Sequence, residues 1–423
     1  MKKYVALHCI LLSSLLLAED MVIETEKRDR EHSVRKVVDK VGEIEQKDVS
    51  IVDNFKHMFS DGKVSGQVRS VYAGYNQDSN GETDTYATAF GGILKYELAE
   101  FNGFNAGVAV YTSHDINSIS GNDEKHNPEL SSSKGNYTEI AESYINYRYK
   151  DLNLRGGRQI LDTPLADSDD IRIIKNTFEA YVASYSYKGI DFQAGYIDKW
   201  QGVDTGLDDG WINAGDESTS YGGISYNDMI EYNAWYYNFD NLANAIYLDF
   251  GIEYPINKNF MIHSMVQYLN ESELEDSGYG ANIYGGIVEL VAYDIGFNVA
   301  FNYASKQDGQ QSYSGNGGGN MFTSMDTIII DEVAVDRDAM AIVAGISYEY
   351  KNFGFLYAYG DFSGDEDSSG VKAHITEQDI GAQYNVNDEF LVAFIYVIVD
   401  DKEFSKKTPY DWDRTQLLVN YNF

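Results

Sequence analysis

From Val64 onward, apolar positions alternate with polar or small ones in segments of about ten residues. VSGQVRSVYAGY, YATAFGGILKYEL, FNAGVAVYT, IDFQAGYI, MIEYNAWYYNF, AIYLDFGIEY, FMIHSMVQY, IGFNVAFNY, MAIVAGISYEY, FGFLYAYG and TQLLVNYNF all follow this rule. A period of two puts every second side chain on one face of a strand. Ten residues also suit a tilted strand that crosses a bilayer. Helical spacing is almost absent from this region. The links between segments fall into two classes. Tight turns occur at Glu100–Asn102, Lys150-Asp151, Lys188-Gly189, Asn227-Asp228, Pro255–Lys258, Tyr293-Asp294, Lys351-Asn352 and Asn385–Asp388. Between them lie mostly longer links, near residues 76–84, 113–136, 160–177, 200–217, 240–243, 269–279, 305–338, 361–373 and 400–411. Eight short and nine long links join eighteen strands, with sixteen as the alternative count. Alternation of short periplasmic turns with long outer loops is the habit of outer-membrane barrels; sandwiches and propellers do not segregate their loops this way. The predicted fold is all-β, a single transmembrane antiparallel β-barrel over residues 53–423.

One link stands apart. Residues 160–177 carry Ile160, Leu161, Leu165, Ile171, Ile173 and Ile174 beside a cluster of opposite charges. A solvated loop has no use for six aliphatic side chains, whereas a loop folded inward against a barrel wall does. The segment is therefore expected to narrow the pore, with Arg158, Asp167, Asp169, Asp170, Arg172 and Lys175 as the constriction. Facing charges there make a transverse field that favours polar and charged solutes. Strand parity assigns the remaining faces. Val64, Val68, Tyr72, Leu152, Leu154, Leu417 and Val419 face out; in 139–150, so do Ala141, Ile145, Tyr147 and Tyr149, with Ile140 breaking the alternation. Tyr144, Asn146, Asn153 and four arginines, Arg69, Arg148, Arg155 and Arg414, face the lumen. Those arginines lie on the first, fourth, fifth and last strands, and the first and last adjoin once the barrel closes. Two readings stand: a basic strip that guides anions past an acidic vestibule, or interior salt bridges to Glu97, Glu142, Asp169 or Asp170. Arg337 falls on an ordinary outer loop.

Composition fits a barrel. The 423 residues carry a formal net charge of -35, with 35 Tyr, 38 Gly and 1 Cys. A mean hydropathy of -0.39 does not argue against a membrane, because only alternate residues of a barrel meet lipid. Met1-Lys2-Lys3 and the apolar run that follows have the form of a secretory signal peptide over residues 1–18, cleaved after Ala18. Cleavage takes away Cys9 and two lysines, leaving a thiol-free chain with a charge near -37. Such a charge makes nucleic acid an improbable partner. Residues 19–52 form a charged periplasmic extension in which Val34, Val37, Val41 and Ile44 sit at a/d spacing. Either a flexible arm or a short helix fits, the latter associating with its copies in a homotrimer or with another envelope component.

Catalytic readings fail. His57, His114, His126, His263 and His374 are scattered, with no zinc-type pairing and no nucleophile elbow. The GNGGGN run near Gly315 lacks the phosphate-loop Lys and is expected to be a flexible outer-loop tip. Acidic loop clusters (Asp204, Asp208, Asp209, Asp216, Glu217; Glu271, Glu273, Glu275, Asp276; Asp365, Glu366, Asp367) lack the ligand spacing of a calcium loop and read as solvated surface. No cofactor, no metal and no enzyme activity are expected.

The stretch GGRQILDTPLADSDDIRIIKNTF, residues 156–178, resembles the third-loop region of the OprD-type outer-membrane porins. The matching positions are Gly157, Arg158, Thr163, Pro164, Asp169, Asp170, Arg172, Thr177 and Phe178. FKHMFSDGKVSGQVRSVYAGY and TDTYATAFGGILKYEL look like porins of campylobacter-related bacteria within that group. The likeness covers roughly residues 53–200 and the last strand. It implies an eighteen-stranded barrel that admits small carboxylates, amino acids or peptides through a narrow pore with a basic strip, Arg158 and Arg172 being the carriers by position. The family often has Leu-Leu-Pro after the loop Arg, where this chain has Ile173-Ile174-Lys175. Phe423, ending an alternating strand, resembles the signal read by barrel-assembly machinery. The expected function is an outer-membrane porin for small hydrophilic solutes; the rival is an adhesin or structural envelope barrel acting through its acidic loops.

Overall fold

The computed structural model describes residues 51–77, 82–317, 320–403 and 411–423. The expected signal peptide, with Cys9, and the a/d stretch of the extension lie outside these residues. A helix, Ile51–Ser60, precedes the barrel.

Eighteen long strands follow in chain order: Lys63–Asn76, Thr85–Glu97, Phe104–Asp115, Asn136–Tyr149, Leu152–Gln159, Thr177–Tyr187, Ile190–Gln201, Thr219–Asn227, Ile230–Phe239, Ala243–Asn257, Phe260–Glu273, Ala281–Ala292, Ile295–Ala304, Ala339–Tyr350, Phe353–Gly364, Ala373–Asn385, Phe390–Asp401 and Trp412–Asn422. Each pairs antiparallel with its neighbours, and the first pairs with the last from Gln67↔Asn422 to Asn76↔Asp413, so the sheet closes. Closure removes the edges that an open sheet would leave unpaired. At the seam, the Phe423 and Gly66 backbones exchange two hydrogen bonds of 3.0 Å each.

Alternation decides what each face meets. In Ile295–Ala304, Ile295, Phe297, Val299 and Phe301 are exposed on the outer wall, while Gly296, Asn298, Ala300 and Asn302 are buried inside. The same holds for Met340, Ile342 and Ile346 in the next strand. An outer wall of large aliphatic and aromatic side chains, with polar groups turned inward, is built for lipid and not for water. Toward the short turns this wall ends in aromatics: Tyr149, Tyr187, Tyr254, Tyr293, Tyr350, Phe353, Tyr421 and Phe423 are all exposed. Three of these turns repeat one device. Lys150, Lys188 and Lys351 take up positive φ (54°, 51° and 57°) in two-residue hairpins. Each sets its ammonium 5.0–5.3 Å from the ring centre of the preceding tyrosine. A ring in the apolar layer with a cation beside it in water marks the level of the headgroups.

In the fourth strand parity fails for a local reason. Ala141 is buried, not turned to lipid, while Ile140 is exposed. The pairing of the third and fourth strands slips between Ala109 and Val110, leaving Ala141 as the extra residue of a bulge. The bulge explains the broken alternation at Ile140 and returns Ile145 and Tyr149 to the outer face.

Candidate pore constriction

The fifth strand has only 8 residues, and the chain leaves the wall at Gln159 to enter the lumen. Leu161, Leu165, Ile173 and Ile174 are buried, the use expected of aliphatic residues on an inward segment. The tip is a tight ladder, Asp162–Thr163 against Ala166–Asp167, closed by a 3.1 Å bond from the Thr163 hydroxyl to the Ala166 carbonyl. From there the segment crosses the barrel. The Leu165 N–H donates to the Tyr237 hydroxyl on the ninth strand at 3.3 Å. At its other end the segment reaches the seam, where Gln416 donates to the Ile171 carbonyl at 3.1 Å.

Arg69 fixes the seam side. Its guanidinium grips Asp170 with two bonds, 2.5 and 3.1 Å, donates to the Arg172 carbonyl at 2.8 Å, and reaches Asn420 at 2.8 Å. Lys175 adds a contact of 2.9 Å to the same carboxylate. Burial alone would raise the Asp170 carboxyl, but Arg69 and Lys175 override it and hold the group below the usual carboxylate range. Asp167 and Asp169 differ. Burial, helped by Asp162 and Asp204, lifts Asp167 to about 7. Burial and Asp204 lift Asp169 to about 8. One short loop thus carries an ionised aspartate beside two that hold their protons near neutrality.

Two further loops join it. Glu129, from the loop between the third and fourth strands, contacts Arg172 and takes a 2.7 Å bond from Arg414. Burial opposes its ionisation, yet Arg414 and Arg172 bring its carboxyl down to about 2. The long 305–338 loop also turns inward. Arg414 meets Asp326 at 2.5 Å; Glu377 accepts from the Thr327 and Ile328 backbones at 3.0 and 2.7 Å; Gln267 holds Phe322 at 3.1 Å and Asn302 holds Thr323 at 3.0 Å. Asn316 bonds the Leu165 carbonyl at 2.9 Å, stitching the two inward loops together. The glycine-rich run is therefore not a free outer tip in its described part. Gly315 and Gly317 adopt φ of 85° and 88°, with Asn316 fully buried between them. Arg337 is likewise no ordinary surface residue: it is buried and bonds Asp367 at 2.9 Å.

The expected site residues separate into groups. Asp170 of the loop pairs with Arg69 of the wall and with Lys175, while Arg172 and the wall residue Arg414 share Glu129, so both of these wall arginines are ion-paired. Arg155 bonds Asn146 at 3.3 Å and lies 4.4 Å above the Tyr144 ring, whose hydroxyl donates to Glu97 at 2.6 Å. Arg148 is exposed near the short turns. Arg158 is elsewhere. Register pairs it with Ser143 and Glu179, and Glu179 shares the outward parity of Tyr181, so Arg158 stands on the outer face near the rim that carries the long loops. There it contacts Glu139 at 3.2 Å, Glu179 at 3.3 Å and the Trp211 ring at 4.3 Å. Sequence parity already assigns Arg158 the side of Leu152 and Leu154, a sign outweighed by its position in the motif.

Below the loop, on the side of the short turns, lies a cavity of about 410 Å³ bordered by Lys63, Gln67, Lys95, Glu97, Glu142 and Lys175. Lys95 pairs with Glu142 at 2.8 Å. Among the described residues, no group of three or more His, Cys, Asp or Glu is placed to hold a metal.

No protein-family model matches the sequence, and no curated protein does. Solved structures do. The Pseudomonas aeruginosa outer-membrane protein OpdK, in a structure with vanillate, superposes with a TM-score of 0.73 at 16% identity, over 86% of this chain and 99% of that one. Acinetobacter baumannii OccAB1 gives 0.74 at 12% identity, over 87% and 98%. Acinetobacter baumannii OccAB3 gives 0.73 at 13%, over 86% and 99%. The chain has the closed eighteen-stranded barrel fold of these proteins.

Proposed function

We propose that this chain is an outer-membrane porin, a passive channel for small hydrophilic solutes narrowed by the 160–176 and 305–338 segments. The supporting observation is the span of the first segment, anchored to Tyr237 on one wall and to Arg69 and Gln416 at the seam. A barrel used only for contact has no need of a charged bar across its lumen. Outside it, a wall of exposed apolar residues fits lipid. Arg69, Asp170, Arg172 and Lys175 form the charged edge of the constriction, and Arg414 braces it from the wall. Because these arginines are paired, they act first as a frame. Below it, Lys63 and Lys95 border the cavity, Lys95 paired with Glu142, and Arg155 lies over the Tyr144 ring.

We assign small organic carboxylates to the transported solutes. The OpdK structure holds vanillate, an aromatic carboxylate, and here Arg155 over Tyr144 joins a cation to a ring. The likeness of residues 55–75 and 83–98 to porins of campylobacter-related bacteria carries the proposal of such an origin. The purified protein in a planar bilayer tests the function. Stepwise conductance, reduced by added benzoate or vanillate, is the expected result. A protein that inserts without conducting would instead favour the adhesin reading, in which the acidic outer loops are the working surface.

A further inference from the structure

The helix Ile51–Ser60 enters the fold beside the barrel's short-turn end, and its placement can be read from three contacts. The Met58 carbonyl accepts the Ala99 N–H at 2.9 Å. The Phe59 carbonyl accepts the Tyr96 hydroxyl. Met58 itself is buried. Tyr96 settles which side of the wall this is. It alternates in phase with Phe90 and Leu94, which are exposed on the lipid face, while Lys95 points inward to Glu142. The helix is therefore tied to the outer side of the rim, away from the mouth of the pore.

Its described side chains divide cleanly. At 100° per residue, Met58, Phe55 and Phe59 fall on one narrow arc, and Lys56, His57 and Ser60 on the opposite one. Met58 covers one edge of the apolar arc against the barrel. Phe55 and Phe59 are left 55% and 54% exposed, their rings 6.2 Å apart. In water, two such rings would be a liability. At this height the outer wall of the barrel is aromatic. The neighbouring outer-wall aromatics Phe104, Tyr147 and Tyr149 belong to the girdle that borders the short turns, and the Lys150 ammonium marks the headgroup level one hairpin away.

We infer that the Ile51–Ser60 helix is an interfacial anchor, lying along the periplasmic leaflet with Phe55 and Phe59 set among phospholipid chains and Lys56, His57 and Ser60 toward water. The two phenylalanines extend the lipid-facing girdle sideways from the wall, and an amphipathic helix at that level buries its apolar edge in the boundary between headgroups and chains.

The test uses the full chain in a Cys9→Ser background, reconstituted in phosphatidylethanolamine–phosphatidylglycerol bilayers, with nitroxide labels on single cysteines at positions 55, 56, 59 and 60. Label collision with oxygen, which concentrates in lipid, is compared with collision with a water-soluble nickel chelate. Val288→Cys, on the lipid face, calibrates the bilayer and shows that the barrel has inserted. Positions 55 and 59 are expected to match Val288→Cys in favouring oxygen, and 56 and 60 to favour nickel. Equal nickel access at all four helix positions, with Val288→Cys normal, overturns the anchor. So does shielding of 55 and 59 from both reagents, which means that protein covers them. The Tyr96→Phe variant removes the hydroxyl tether and leaves the rings. The anchor keeps the oxygen preference at 55 and 59 in that variant, and its loss there shows that Tyr96, not lipid, holds the helix.

Discussion

Arg414 and Glu129 are separated by 285 residues of sequence and by 2.7 Å in space. The arginine sits on the last strand and is fully buried; the glutamate comes from the loop after the third strand and bridges to Arg172 of the inward segment. Asp326, from the 305–338 loop, takes the other side of the same guanidinium at 2.5 Å. Three loops therefore lock at one buried arginine beside the barrel seam. Removing one partner of a buried pair leaves its charge uncompensated, a loss of about 3–5 kcal/mol in comparable cases. Glu129→Ala strands Arg172 and half of Arg414. Its expected effect is local: faster proteolysis within residues 116–135 and 160–176 and noisier channel current, with the barrel itself intact. Limited proteolysis of folded protein and single-channel recording check this, and unchanged cleavage in both segments counts against the lock.

Asp170 is predicted to mask two cations. Its carboxylate takes bonds from Arg69 and a contact from Lys175, so Asp170→Asn exposes positive charge on the constriction edge and loosens the segment. Conductance should rise, and the reversal potential under a salt gradient should move toward anions. Asp162→Asn alters an aspartate whose oxygen bonds the Ser168 hydroxyl at the tip and which is not among the groups that Arg69 bonds; it should move selectivity less. A cation-ward shift in Asp170→Asn would place the anion path elsewhere.

Acidity offers an independent handle. Asp167 and Asp169 sit at about 7 and about 8, raised above a carboxylate's unfolded value near 4. Both bind protons in the folded state that the unfolded chain has already released, so between about pH 4 and pH 8 their contribution to stability falls as pH rises. Over the upper part of that window the loop also gains negative charge. The expected outcome is a channel that becomes more cation-preferring from pH 6 to pH 9, with the double substitution Asp167→Asn, Asp169→Asn flattening the profile. Reversal potentials across that range decide it. The lock at Arg414 should not titrate with them, because Glu129 at about 2 stays ionised throughout.

The barrel was legible because its signal is repeated. Each strand carries the same period of two, and a slip such as the Ala141 bulge costs one assignment without disturbing the next strand. The inward segment was legible from aliphatic residues in a loop. The same test, applied to MFTSMDTIII, points to the 305–338 loop, where Met321, Phe322, Met325, Ile328 and Ile330 are buried. Its neighbouring glycines masked that signal, since a glycine run reads as a free tip until a partner such as Leu165 is known. The lock was not legible. Glu129 lies in a polar loop and looks like any surface acid; only closure of the first strand on the last brings it to Arg414. Pairing across loops depends on distances that periodicity does not encode.

Arg158 supplies the sharpest contrast between position in a motif and position in space. The likeness to OprD-type porins puts it beside Arg172 as a carrier of the pore's charge, yet it lies on the outward face with Glu139, Glu179 and Trp211. It is 32% exposed there, and its partners slightly more so. Ion pairs of that exposure contribute under about 1 kcal/mol, and a charge outside the wall is remote from solute in the lumen. Arg158→Ser should therefore leave the reversal potential where it was and lower stability only marginally. Arg155→Ser, by contrast, removes a cation over Tyr144 inside the barrel and should shift selectivity toward cations while weakening block by vanillate. Measured side by side, the two variants separate the faces of one strand. If Arg158→Ser moves selectivity as far as Arg155→Ser, the outward placement of Arg158 is wrong, and the fifth strand turns its parity before Gln159.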